Sequence, residues 1–268
     1  RRCRMMLIGD QAQLPPVGEE LSPALSTAFM RGYGLTVFES NLTEVLRQGE
    51  ESGILWNATR LRNDEGMLLP RIRLKAFADI VSVSGSELIE QLSTSYGEVG
   101  EDETIVITRS NKRANIYNQG IRSQVLWRED ELCTGDLLMV VKNCYKEAFI
   151  ANGDRCVVKR VRGIHEMHGF RFAELWVQFP DFDDSELHTL ALVDTLTTEA
   201  PALTRERQEK LFLSVLEDYA DIPQKRERMK KVREDRYYSA LQVKFAYAVT
   251  CHKAQGGQWS HVYVDQGY

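Results

Sequence analysis

The sequence lacks the features that define several large classes of protein. Its 268 residues contain no apolar run of membrane-spanning length, and no signal-peptide pattern opens the chain. The five cysteines include no C-x-x-C pair, which speaks against a disulfide framework and fits reduced thiols in a cytoplasm. Cys133, Cys144 and Cys156, taken with His165 and His168, match no zinc spacing, so buried or half-buried thiols on strands are expected and no metal site. The acidic run Asp181, Asp183, Asp184 and Glu186 reads as a turn between strands and not as a cation loop. Repeats, low-complexity tracts and Ser-His-Asp or Cys-His arrangements are absent. A surplus of positive charge is missing too: the net charge is −5. That does not advertise nucleic acid, but binding depends on where the charge sits.

What is present is an ordinary globular composition, 43% hydrophobic and 9% aromatic, in a length that suits two domains or one with an insertion. The chain begins at Arg1 and runs at once into Met5 to Ile8, which reads as a buried strand, so an excised piece of a longer protein is expected. Gly9-Asp10 and Pro15-Pro16 end that strand in a stiffened loop. Leu42 to Arg62 suggests two helices broken near Gly53, and Gly85 to Tyr96 a helix with Leu88, Leu92 and Tyr96 on one face. Thr104 to Thr108 is a β-branched strand, and Ser110 or Asn111 caps a helix through Ile121. From Gly135 the style changes to short strands at 137–142, 156–161, 174–179 and 189–193, with a tight-turn signal at Asn152-Gly153, which predicts a small antiparallel barrel. Thr204 starts an amphipathic helix, and the basic stretch from Lys225 to Arg236 reads as a second. Val243 to Thr250 and Val262 to Asp265 then read as strands, so an α/β domain interrupted by a barrel is expected.

Three strings offer chemistry. In Gly9-Asp10-Gln11-Ala12-Gln13-Leu14-Pro15-Pro16-Val17, Asp10 and Gln13 emerge beyond the carboxyl end of a strand, where ligands of open α/β sheets bind. In Thr250-Cys251-His252-Lys253-Ala254-Gln255-Gly256-Gly257, a hydroxyl, an imidazole and an ammonium follow a strand, and two glycines permit close backbone approach. In Leu42-Thr43-Glu44-Val45-Leu46-Arg47-Gln48, Arg47 is either a helix-end cation or a phosphate contact. Basic residues also gather at Arg109, Lys112, Arg113 and Arg122, and at Lys159, Arg160 and Arg162, where a solvated face is the plain expectation.

Together the three strings resemble motifs III, V and IV of superfamily 1B DNA helicases of the RecD-like branch, the type of the exodeoxyribonuclease V alpha subunit. The resemblance implies a RecA-like P-loop NTPase motor domain, the second of two, interrupted by a small Src-homology-3-like antiparallel barrel. Gly135 to Asn143 and Ala151-Asn152-Gly153-Asp154 are similar to the start of that barrel. It divides the chain into a tail of the first motor domain (1–38), a first part of the second (39–133), the barrel (134–200) and a helical return (201–268). By the same resemblance Gln13, Asp10 and Arg47 act at the γ-phosphate of ATP, and an arginine given to a transferring phosphoryl group is worth about 10³ to 10⁵ in rate. Gln255 and Gly256 face the nucleotide, and Thr250, His252, Lys253, Arg109 and Asn111 face single-stranded DNA, with Asn115 nearby. Tyr117, Trp127 and Tyr145 are candidate base stackers, although core burial is expected of each.

The departures carry weight. No G-x-x-x-x-G-K-[ST] occurs, Asp64-Glu65, Asp102-Glu103 and Asp130-Glu131 follow no apolar strand, and no motif VI arginine follows motif V. The resemblance thus implies a cytoplasmic parent that uses ATP and Mg2+ to move 5′-to-3′ on single-stranded DNA, with nuclease or repair-complex subunits as candidate partners and no membrane, and a piece that is inactive alone. A competing expectation is a non-catalytic module that binds nucleic acid or a partner protein in a recombination or repair complex. The chain by itself is predicted to hydrolyse no ATP, with or without DNA. A DNA-stimulated turnover that survives purification to homogeneity overturns this.

Overall fold

Strand-forming, capping and turn residues alternate through most of this chain, and a computed structural model describes residues 3–16, 18–43, 49, 51–63, 71–144, 150–180 and 186–267. The chain divides into two units, Arg1–Ser84 and Gly85–Tyr268.

In the first unit, Ser26 accepts a hydrogen bond from the Phe29 amide and so starts α1 (Thr27–Gly32). The helix α2 (Gly53–Asn63) has a cap from a distance: the Asp79 carboxylate accepts from the Ser52 hydroxyl at 2.7 Å and the Gly53 amide at 2.9 Å. These bonds, the Ser52 hydroxyl first, hold the Asp79 carboxyl below its ordinary value. Gly53 is required by close approach, because a Cβ there would lie 2.4 Å from the Phe77 ring. The buried Asn57 side chain accepts from the Arg73 amide at 2.7 Å and donates to the Arg73 carbonyl at 2.9 Å. One expectation fails here. Met5 to Ile8 is not a buried strand; the segment pairs with no strand among the described residues, and Met6 and Ile8 are 82% and 88% exposed. Apolar sequence alone cannot bury a strand when no ladder partner lies beside it.

The second unit combines a parallel sheet with a closed barrel. After α3 (Leu88–Glu98), whose Leu92 is fully buried, comes β1 (Thr104–Thr108). Ser110 accepts from the Arg113 amide and caps α4 (Asn111–Gly120), which runs on into a π-helical turn, Ile121–Val125. The barrel follows: β2 (Leu137–Val140), β3 (Arg155–Met167), β4 (Phe170–Gln178) and β5 (Glu186–Leu192). The β3–β4 hairpin turns on His168 and Gly169, both at positive φ, as two-residue hairpins demand. After α5 (Arg205–Glu217), capped by Thr204, and the basic α6 (Lys225–Glu234) comes β6 (Leu241–Phe245), and β6 closes the barrel against β2. Its other neighbour, β5, runs parallel to it, so the barrel is not wholly antiparallel. The helical crossover through α5 and α6 makes this possible, since a parallel pair needs a long connection. β7 (Ala248–Thr250), the single-turn α7 (Cys251–Ala254) and β8 (His261–Val264) complete a three-stranded parallel sheet in the order β7-β1-β8.

Val243 to Thr250 is therefore not one strand. The chain leaves the barrel after Phe245 and enters the parallel sheet at Ala248. The buried Asn118 carboxamide secures the crossing, accepting from the Ala248 amide at 2.8 Å and donating to the Ala248 carbonyl at 2.9 Å. Sheet and barrel share one apolar core, including Leu92, Ile105, Leu138, Val140, Leu175 and Tyr247, while Phe170, Phe172, Leu211, Val215 and Val232 form a second cluster under α5 and α6. Among the described residues no helix is long and apolar enough to cross a membrane.

At the crossing lies a buried polar network. The fully enclosed Asp136 carboxylate accepts from Arg122 Nε at 3.0 Å and Nη2 at 2.9 Å, from the Cys133 amide at 2.7 Å and from the Tyr247 hydroxyl at 3.2 Å. The Tyr247 oxygen accepts in turn from the Leu137 amide at 3.0 Å and from Arg128. Arg122, in the sequence one of a surface-like basic group, is thus a buried ion-pair partner. Removing one member of a buried pair leaves an uncompensated charge. Asp136→Ala is expected to destabilise the fold by about 3–5 kcal/mol, and Tyr247→Phe by about 1–3 kcal/mol. Urea unfolding checks this, and losses near zero for both overturn it.

Candidate functional site

The carboxyl ends of three parallel strands converge on one edge of the second unit, and each is followed by polar sequence. After β1 come Arg109, Ser110 and Asn111, β7 ends at Thr250 and leads into α7, and after β8 comes Asp265. Cross-links fix their relative positions. The Cys251 thiol donates to the Thr108 carbonyl at 3.3 Å, and Thr108 Oγ1 donates to the Val249 carbonyl at the same distance. Arg113 on α4 pairs with Asp265 at 2.7 Å. Arg109 is exposed and lies along Gly267, where a Cβ would meet Nε at 3.0 Å. Crossover connections oblige parallel strands to present their following loops on one edge, and that edge is where open α/β sheets bind ligands.

The residues of the Thr250–Gly257 string come together. Thr250 occupies the N-cap position of α7, and His252, Lys253, Gln255 and Gly256 line one open depression of about 640 Å³. Met139, Asn152, Gly153, Arg155, Gly257 and Trp259 line the rest, so the barrel's β2–β3 turn shares the site. Sequence reasoning did not single out Arg155 or Trp259. Both gain their place only because the barrel folds against the sheet. The Lys253 ammonium donates to the Asn152 side-chain carbonyl, and burial holds its pKa below the ordinary lysine value. Gly257 lies so close to Trp259 that a Cβ would fall 2.0 Å from the ring. The Arg155 guanidinium stands over that ring, 5.4 Å from its centre, and donates to the Asp102 carbonyl at 3.1 Å.

Other expected site residues have different fates. Asn111 is the half-buried first residue of α4. Asn115 is engaged in structure, its amide donating to the Thr197 and Thr198 carbonyls at 2.8 and 3.1 Å. In the first unit, Asp10 accepts from the Ala12 amide at 3.0 Å in a local turn and pairs with Arg62, while the Gln13 amide donates to the Asp10 carbonyl at 3.2 Å. The Ala12 amide first, with Arg62 assisting and burial opposing, holds the Asp10 carboxyl below its ordinary value. Arg47, Tyr145 and the aspartates 181, 183 and 184 lie outside the described residues. Tyr117 is half-buried beneath Arg113, but Trp127 contradicts its expected burial: it is 80% exposed at positive φ. It follows a π-helical turn, and its tight backbone turns the ring outward. Among the described residues no group of three or more His, Cys, Asp and Glu side chains assembles as metal ligands.

A family model for the UvrD-like helicase C-terminal domain matches residues 245–268, the segment holding the end of β6, β7, α7 and β8. No curated protein matches the chain. The match supports a helicase relationship for this segment, and helicases act on nucleic acid.

Beside the depression, Lys244 on β6 is buried and donates to the Thr198 carbonyl. Burial first, then the charge of Lys253, brings its pKa down to about 8. Folding therefore disfavours the charged form, and stability from this group rises with pH between about 8 and the ordinary lysine value of 10.5. Lys244→Met is expected to be most favourable relative to the native chain below pH 8, with an advantage that shrinks by about 2 kcal/mol towards pH 10.5. A difference in unfolding free energy that stays constant over that range overturns the assignment.

Proposed function

We propose that this chain is part of an ATP-dependent DNA helicase of superfamily 1, of the RecD-like branch, that moves 5′-to-3′ along single-stranded DNA. The observation that carries the reading is the Thr250–Gly257 string. It lies directly beyond a parallel strand, on the carboxyl edge, inside the segment that the helicase family model matches. In this reading the parallel sheet belongs to a second RecA-like motor domain and the barrel is its Src-homology-3-like insertion.

His252, Lys253, Thr250 and Arg109 grip the backbone of the strand. A hydroxyl, an imidazole and an ammonium suit phosphate oxygens and lack the planar fork that reads base edges, so the grip is indifferent to sequence. In this reading Gln255 and Gly256 lie on the nucleotide side of the second unit. Gln255 offers a carboxamide, and Gly256 sits at φ +86, where no Cβ crowds an approaching group. No P-loop string that would cradle the phosphates of a nucleotide occurs in this sequence. When bound, ATP supplies the free energy of movement. The residues described here hold the strand.

Anisotropy of a fluorescein-labelled oligothymidylate tests the reading. His252→Ala combined with Lys253→Ala is expected to weaken binding equally for all sequences. Loss of the Lys253 contact should reduce the slope of log affinity against log salt by about 0.7. Unchanged affinity and slope in a folded double variant remove this loop from the nucleic-acid path.

A further inference from the structure

The depression has two walls drawn from different parts of the fold. One is the loop after β7, with His252, Lys253, Gln255 and Gly256; the other is the barrel's Asn152, Gly153 and Arg155. Asn152 accepts a hydrogen bond from Lys253, which ties one wall to the other. The Asn152 amide donates to the Asn143 side chain at 2.7 Å, so the turn that carries it is itself braced.

The charge of the two walls has one sign. Lys253 and Arg155 supply it, and no carboxylate lines the depression. Among the described residues neither Lys253 nor Arg155 makes an ion pair; their partners are the neutral Asn152 side chain and the Asp102 carbonyl. A guanidinium carries five N–H donors, and the Asp102 carbonyl engages one of its nitrogens, so Arg155 keeps donors for a further acceptor. Trp259 is the one aromatic ring of the lining, and the Gly257 backbone and Arg155 already lie against it. That leaves little ring face for a base and favours an anionic backbone as the occupant.

We infer that the barrel is part of the strand-binding site: Arg155 contacts a backbone phosphate directly, and Asn152 orients Lys253 toward the same stretch of strand. The inference rests on the reading of His252 and Lys253 as nucleic-acid contacts and adds residues from a different part of the chain. A strand seated there bridges barrel and sheet, and its phosphates supply the counter-charge that both cations lack.

The test uses the whole chain and a labelled oligothymidylate of about 12 nucleotides, within the range of single-strand site sizes. Arg155→Ala is expected to weaken binding about tenfold and to lower the salt slope by about 0.7. Arg155→Lys should retain the slope, because the charge is retained. Asn152→Ala should weaken binding a few-fold with the slope intact. Far-UV circular dichroism and thermal melting establish that each variant is folded, and a merely structural role for Arg155 would not move the slope. Lys253→Ala serves as the reference. If it lowers the slope while folded Arg155→Ala leaves affinity and slope unchanged, the barrel is not part of the site and the loop reading stands. If Lys253→Ala also has no effect, or the native chain does not bind the oligonucleotide, the loop reading falls and this inference with it. Displacement of the oligonucleotide by ATP alone would assign the depression to nucleotide and overturn the inference.

Discussion

A carboxylate with no access to water sets the terms for the second unit. Asp136 stands at the beginning of β2, where the barrel starts, and Tyr247 stands between the last barrel strand and the first strand of the parallel sheet that follows it. Burying a carboxylate costs several kcal/mol even after relaxation, and the cost is recovered only when its lone pairs are met with good geometry. Here Arg122 binds it through two nitrogens, the Cys133 amide and the Tyr247 hydroxyl donate to it, Arg128 stands 3.5 Å away, and Arg122 lies 4.3 Å from the Phe245 ring centre. Arg128 reaches from the same network to Glu101 at 2.9 Å. Burial raises the Glu101 carboxyl above its ordinary value, with Arg128 opposing. A network of this kind is stable only when every member is in place, so barrel and sheet are held in one arrangement.

That rigidity matters at the edge. A depression with one wall from the barrel and one from the sheet keeps its shape only if the two cannot slide. The shared apolar core, the Asn118 staple at Ala248 and the Asp136 network together prevent sliding. Each lies on the path by which the chain passes from one sheet to the other.

The extent to which the sequence disclosed this follows from where the information lies. Thr104 to Gly120 was legible because its signals are local: a β-branched run, a serine cap and a helix with polar residues outward. The Thr250–Gly257 string was legible as chemistry because all of it lies on one loop. The split between β6 and β7 was not, because residues 241–249 are all buried, polar Gln242 and Lys244 included, and Ala246-Tyr247 carries no turn residue to mark the break. The second half of β3 was missed for the opposite reason: residues 162–167 are all exposed, and exposed strands carry no alternation. Met5 to Ile8 shows that hydrophobicity reports a preference for burial and not the presence of a partner. Arg155 and Asn152 join the candidate site through a long-range fold, and no spacing rule brings residue 155 to residue 253.

A net charge of −5 and a grip on phosphate are compatible when the acids are examined one by one. Near the edge, Asp265 is neutralised by Arg113 at 2.7 Å, and in the interior Asp136 is neutralised by Arg122 at 2.9 Å. On the barrel's outer face Glu174 is shared among Arg162, His188 and Arg236. What the depression itself presents to solvent is Lys253, Arg155 and His252 with no carboxylate among its lining. Salt at physiological strength screens exposed charges over about 8 Å, so distant acids subtract little from the field at the edge. Two acids border the depression without lining it: Asp154, which accepts from the Ala151 amide at 2.7 Å, and Asp102, whose carbonyl meets Arg155 at 3.1 Å. The local potential is set by these groups and by the cations of the lining, and the sign of the whole chain does not decide what binds there.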